Sequence, residues 1–174
     1  MRLFTIGHST RSLDELATLL GENGVTQLVD VRTVPRSRHN PQFNADALAA
    51  SLPERGIAYM HRPELGGLRK PRRDSMNLGW KNEGFRGYAD YMQTEAFVRA
   101  LSRLMVEAEQ GCVAIMCAEA LPWRCHRSLI ADALSVRSVE VRHIMGPGKT
   151  KPHALTGFAQ VEGGNITYPF TLEA

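Results

Sequence analysis

What the sequence lacks narrows its class before any motif is considered. No apolar run in the 174 residues approaches the roughly 20 needed to cross a bilayer. The opening stretch from Met1 to Thr10 lacks the long apolar segment and small-residue cleavage site of a secretory signal. The expected location is therefore the cytoplasm, with no membrane partner. Cysteine is scarce, and three residues, an odd number, do not make a disulfide framework; a reducing compartment leaves them as thiols. Neither sign of charge dominates: the net charge of +3 gives only a mild bias towards anionic partners. Hydrophobic residues at 43% and charged residues at 22% lie near globular averages and argue against disorder. The length suits one domain, residues 1–174, with a sizeable core.

What is present alternates between strand and helix patterns. Leu3 to Ile6 is a β-type run, and Ser12 with Glu15 forms a capping box for a helix with Leu13, Leu16, Ala17 and Leu20 on its apolar face. Residues 27–32 read as a second strand, followed by a helix from Asn44 with Phe43 and Leu48 as a hydrophobic staple. Residues 57–61 are a third strand, residues 112–116 a fourth and residues 139–144 a fifth. Helices are expected from Thr94 and over residues 125–134, and Gly163-Gly164 marks a terminal hairpin. The passage from Arg62 to about Gly84 is long for an unstructured connection and invites a functional explanation. The pattern predicts a three-layer α/β/α sandwich around an open, mostly parallel, Rossmann-like sheet of about five strands.

Open parallel sheets bind ligands at the carboxyl ends of their strands. There the sequence delivers His8 and Ser9, Asp30 and Arg32, His61, and Cys117 with Glu119, while the fifth strand contains His143. His8, Asp30, Cys117 and Glu119 are the candidate catalytic residues. Asp30 and Glu119 suit an acid/base pair, although Asp30 and Arg32 would equally pair with each other and order the loop. Cys125, His126 and Arg127 fall at the start of an amphipathic helix with no Ser, Thr, Asp or Asn to cap it, a setting suited to a phosphate or carboxylate. Ser9, Arg32, Ser37, Arg38 and His61 extend the candidate anion site, and Arg36, Arg69, Lys70, Arg72 and Arg73 surround it with positive charge.

For Cys117, three readings stay open: an activated nucleophile, a redox thiol, or a packed strand-end residue. Cys117, Cys125 and His126 are also soft metal ligands, but their spacing is not that of a usual zinc site, and no metal ligand is assigned. Cys117 to Arg124 is one residue longer than the Cys-x5-Arg loop of protein phosphatases and rhodanese-like enzymes, which sets that family aside.

Taken together, "TIGHS" at 5–9, "DVRTVPRSR" at 30–38, "YMHRPELGG" at 59–67, "GYADYM" at 87–92, "MCAE" at 116–119, "CHR" at 125–127 and "EVRHI" at 140–144 resemble the DUF488 family of uncharacterised proteins. The resemblance spans residues 3 to about 145 and implies an intracellular α/β protein. It implies no activity, no cofactor and no oligomeric state, and it leaves the tail after Gly146 uninformed. The expected function is an enzyme acting on a phosphate-bearing substrate, a nucleotide or nucleic acid, at the carboxyl edge of the sheet. The alternatives are a non-catalytic nucleic-acid-binding or regulatory module, or a thiol redox or metal-binding protein.

Overall fold

Apolar runs of four to six residues, too short for helices, become strands covered on both faces. In the computed structural model, which describes residues 1–172, these are β1 (Arg2–Gly7), β2 (Gln27–Asp30), β3 (Ala58–His61), β4 (Val113–Cys117) and β5 (Glu140–Gly146). All five are parallel, and every residue of β4 is buried. β6 (Lys149–Pro152) adds antiparallel to β5, giving the order β3-β2-β4-β1-β5-β6. The helices are α1 (Leu13–Glu22), α2 (Ala45–Ser51), α3 (Glu83–Tyr91), α4 (Glu95–Gln110) and α5 (Arg127–Ser135). The expected tail hairpin is present as β7 (Gln160–Glu162) and β8 (Asn165–Thr167).

The pleat sorts strand residues between two cores. Phe4, Ile6, Leu28, Ala114 and Met116 pack with α1 and α2, whereas Leu3, Val29, Val113, Ile115 and Val141 pack with α3, α4 and α5. The chain steps from β1 through β2 to β3 towards one edge and returns through β4 to β5, so the connections leave β4 and its neighbours on opposite faces. This reversal opens a crevice at the carboxyl end of β4.

Local chemistry explains most boundaries. Ser12 and Glu15 complete the capping box, and the Thr94 hydroxyl accepts from the Phe97 N–H. Asn44 precedes α2 but spends its carbonyl on the Ser37 N–H, pinning the loop after β2 instead of capping the helix. The sixth strand was not expected, because Lys149–Pro152 is largely exposed and lacks apolar alternation; it pairs because Gly148, at φ 65°, turns the chain back. The passage after Arg62 is held from below by α3. Asp90 accepts from the Arg72 N–H, the Ser75 hydroxyl and the Asn77 amide, and the Tyr88 and Tyr91 hydroxyls donate to the Leu65 and Glu64 carbonyls. Its length is thus explained by anchoring, and Arg69, stacked 3.6 Å over Tyr91, is part of the anchor.

Gly7 sets the crevice geometry, since a Cβ there would lie 1.8 Å from the Glu119 carbonyl oxygen. Gly7→Ala is expected to destabilise the protein by about 1–3 kcal/mol through forced backbone displacement. Gly21→Ala, in α1 with open space around it, should be neutral or stabilising by up to about 1 kcal/mol. Urea titration of both variants checks the contrast, and equal effects would remove the close approach as the cause.

Candidate functional site

The crevice holds a cavity of about 500 Å³, a size suited to a small organic ligand. His8, Cys117, Glu119, Cys125 and His126 form its polar floor and wall. Arg32, Arg36, Ser37 and Arg124 add donors, and Val34, Leu68 and Phe85 give an apolar rim. Two connections extend the β1–β4 ladder into this region: the His8 N–H donates to the Cys117 carbonyl at 2.8 Å, and the Ser9 N–H to the Ala118 carbonyl at 2.9 Å. Ser9 adopts φ 50°, a left-handed conformation unusual for a residue with a Cβ.

The start of α5 differs from an open anion site. The helix begins at Arg127, and its first N–H donates to the Cys125 sulfur at 3.4 Å, while the Ser128 and Leu129 N–H groups reach the Cys125 and His126 carbonyls. The sulfur itself therefore occupies the position of an N-terminal acceptor. The Arg127 side chain turns inward, 1% exposed, and donates to the Thr5 hydroxyl at 3.1 Å and the Glu119 carbonyl at 2.5 Å. It does not line the cavity.

Electrostatics divides the two thiols. Burial opposes the Cys125 thiolate, but a hydrogen bond from Cys117, the Arg127 charge and the Arg127 N–H outweigh it and draw the pKa below that of a free thiol. Cys117, donating to Cys125 and itself buried, is pushed well above its ordinary value. His126 directs Nε2 at the Val31 carbonyl, 2.9 Å away, so Nε2 carries the proton and Nδ1 is left as an acceptor 3.5 Å from the Cys125 sulfur. Burial pushes the His126 pKa down. The cation that balances a Cys125 thiolate is therefore Arg127, not an imidazolium. Gly67 packs on this ring, since a Cβ there would lie 2.6 Å from Nδ1.

His8 is 2% exposed, stacks on Phe43 with 4.5 Å between centroids, and donates from Nδ1 to the Ser9 carbonyl. Burial lowers its pKa, leaving Nε2 as a lone-pair nitrogen 3.4 Å from Arg32 Nη1.

The remaining sequence candidates fall into two groups. Glu119 lines the cavity, exposed, with one carboxylate oxygen accepting the Leu121 N–H, and Ser37 lines it while its hydroxyl accepts from the Asn40 N–H. Asp30, His61, Arg38 and Ser9 are not brought to the cavity wall. Asp30 lies on the α1/α2 face of the sheet, fully buried, where Arg32 grips it through Nε and Nη2 at 2.9 and 2.6 Å and Tyr59 donates to it at 2.5 Å. Its pairing with Arg32 is thus the arrangement adopted. His61 Nε2 meets the Arg32 carbonyl at 2.7 Å, and Arg38 is exposed. Sequence reading passed over Asn82, Val34 and Leu68 as cavity residues. Among the described residues, no group of three or more His, Cys, Asp or Glu side chains is arranged to hold a metal ion, and no helix is long and apolar enough to cross a membrane.

A family model described as "Domain of unknown function DUF488" matches residues 12–134. The chain belongs to the DUF488 family. The "TIGHS" and "EVRHI" segments lie wholly outside the matched residues, so His8 lines this chain's cavity without being covered by the DUF488 match. No curated protein and no solved structure matches the chain.

The thiol assignment has a measurable pH dependence. Because the folded pKa of Cys125 is lowered, its thiolate persists as pH falls below the unperturbed value of about 8.5. Iodoacetamide at pH 7 is expected to modify Cys125 before Cys112, whose pKa burial raises, and before Cys117. Peptide mass spectrometry reads the order, and a Cys125 midpoint at or above about 8.5 would overturn the assignment.

Proposed function

We propose that this DUF488 protein is an enzyme that acts on a phosphate-bearing substrate, of nucleotide size, with Cys125 as nucleophile. The observation that carries this reading is a thiol with a lowered pKa on the wall of an arginine-bearing cavity. Perturbed groups in a cleft of ligand size mark reactive sites, and a binding module has no use for a stabilised thiolate. Arg36 and Arg124, both exposed at the rim, meet the substrate anion, with Arg32 and Ser37 behind them. Phe85 and the Val34–Leu68 rim take the less polar body of the substrate. The Cys125 sulfur attacks the electrophilic centre as the bond to the leaving group breaks, and the leaving group takes its proton from water at the open side of the cavity. His8 Nε2, neutral and unprotonated, accepts the proton of the water that resolves the covalent intermediate.

Two measurements test this. Inorganic phosphate and nucleoside diphosphates are expected to slow Cys125 alkylation, and the double variant Arg36→Ala/Arg124→Ala to weaken that protection about tenfold or more. In a panel of nucleoside mono-, di- and triphosphates followed by phosphorus NMR, Cys125→Ser should abolish turnover while still binding phosphate. Turnover that survives Cys125→Ser would remove the nucleophile; phosphate binding with no turnover of any panel member and no covalent adduct by mass spectrometry would favour a binding module.

A further inference from the structure

We propose that Thr5, His143, His153 and Asp132 are positioning residues for Arg127, joined in one buried, one-way chain of hydrogen bonds that holds the guanidinium beside the thiol pair. The inference rests on the reading of Cys125 as the nucleophile and extends its supporting machinery to the far side of β1.

The chain is continuous. Arg127 Nη1 lies 3.1 Å from the Thr5 hydroxyl, which lies 2.6 Å from His143 Nδ1. His143 Nε2 is 2.9 Å from His153 Nδ1, and His153 Nε2 is 2.8 Å from an Asp132 carboxylate oxygen. Register accounts for the first links: Thr5 and His143 are paired residues of β1 and β5, and their position in the pleat turns both towards α5, where Arg127 and Asp132 reside. β6 leads His153 back over that face.

Its direction follows from donor counting. Arginine only donates, so the Thr5 oxygen accepts from Arg127, and the Thr5 hydroxyl proton, 0% exposed, has His143 Nδ1 as its remaining partner. His143 must then carry its proton on Nε2 and give it to His153 Nδ1, and His153 must give its Nε2 proton to Asp132. Burial, with His153 and Arg127 nearby, pushes the His143 pKa down to about 3, which keeps that ring neutral. Asp132 is fully buried and also accepts from the Thr156 N–H at 3.1 Å, the Thr156 hydroxyl at 2.7 Å and the Tyr168 hydroxyl at 2.8 Å. A carboxylate fixed by four donors ends the chain, and a buried cation begins it. Each link is polarised in the same sense, so the orientation of Arg127 is set from a point remote from the cavity.

Arg127 needs such support, because its Nε is buried without a hydrogen-bond partner among the described residues while its charge acts on both thiols. The groups that act on Cys125 are Cys117 from β4 and Arg127 from α5, with His126 Nδ1 3.5 Å from the sulfur. Of these, Arg127 is the one the chain reaches.

The experiment compares Thr5→Val, which keeps shape and removes the hydroxyl, with Thr5→Ser, which keeps the hydroxyl. Thr5→Val is expected to raise the pH midpoint of Cys125 alkylation by about one unit, the size of shift that a displaced neighbouring charge produces, and Thr5→Ser to restore it. An unchanged midpoint in a folded Thr5→Val protein overturns the proposal. Should that variant not fold, His153→Leu, which removes both ring nitrogens, cuts the chain at its far end and is read in the same way. Nitrogen NMR of the unaltered protein supplies an independent arm: His143 is expected to be neutral at pH 8 with its proton on Nε2, and a proton on Nδ1 or a charged ring overturns the chain. A normal thiol midpoint for Cys125 in the unaltered protein would defeat the nucleophile reading alone, since the NMR result stands apart from it.

Discussion

A guanidinium with 1% of its surface exposed, the largest fully buried side chain described, is the constraint on which the site depends. An uncompensated charge in a protein interior costs several kcal/mol, so the surroundings of Arg127 have to supply acceptors or negative charge. They do so from three directions. The Glu119 carbonyl comes from the loop after β4, the Thr5 hydroxyl from the middle of β1, and the thiol pair from the end of β4 and the turn before α5. The Glu119 carbonyl can approach because residue 7 has no side chain. Gly7, the loop at 117–120 and the start of α5 are therefore parts of one arrangement around a cation. A lowered Cys125 pKa follows from it, because a thiolate is the negative charge that this cation lacks.

The pleat then distributes the chemistry over two faces. Thr5, Cys117 and His143 point to the α5 side, whereas Asp30 and His8 belong to the α1/α2 side. Two buried charge systems result. Asp30, Arg32 and Tyr59 close one, with Arg32 also donating to the Phe43 carbonyl and so fixing the loop after β2. Arg127 and the thiols close the other. They meet only at the carboxyl edge, where the strands end and His8 and Arg32 can face Cys125 and His126 across the cavity. Removing one partner of the Asp30–Arg32 pair leaves a buried charge alone, at a cost of about 3–5 kcal/mol, so that pair is a structural support of the wall.

The sequence made the architecture readable wherever local chemistry and burial agree. The apolar runs, the Ser12–Glu15 box, the Thr94 cap and the Gly163-Gly164 turn each have one physical outcome, and the structure adopts it. β6 escaped because an exposed edge strand of Lys, Thr and Lys carries no apolar period. At the site, the identity of the residues at the strand ends was readable, and so was the presence of cysteine and arginine at the seam before α5. Their orientation was not. A two-residue difference in where α5 begins turns Arg127 from a surface donor into a buried one, and makes the Cys125 sulfur the acceptor at the helix start. Thr5 and His143 gave no sign of their partnership, because strand register between β1 and β5 is fixed by tertiary packing across more than a hundred residues.

The division of labour between the thiols follows from the same geometry. Two thiols in contact under one cation cannot both ionise, since the second negative charge meets repulsion from the first in a poorly solvated place. The pair therefore keeps at least one proton, and position decides which sulfur ionises first. Cys125 receives the Arg127 N–H and opens on the cavity; Cys117 ends a strand buried at every residue and has Cys125 as an acceptor. Ionising Cys117 instead would leave the α5 N–H facing a neutral thiol and strand the charge deeper in the sheet. The residue that lies nearest the strand end in sequence is thus the donor of the pair, and the thiolate belongs to the one set at the helix.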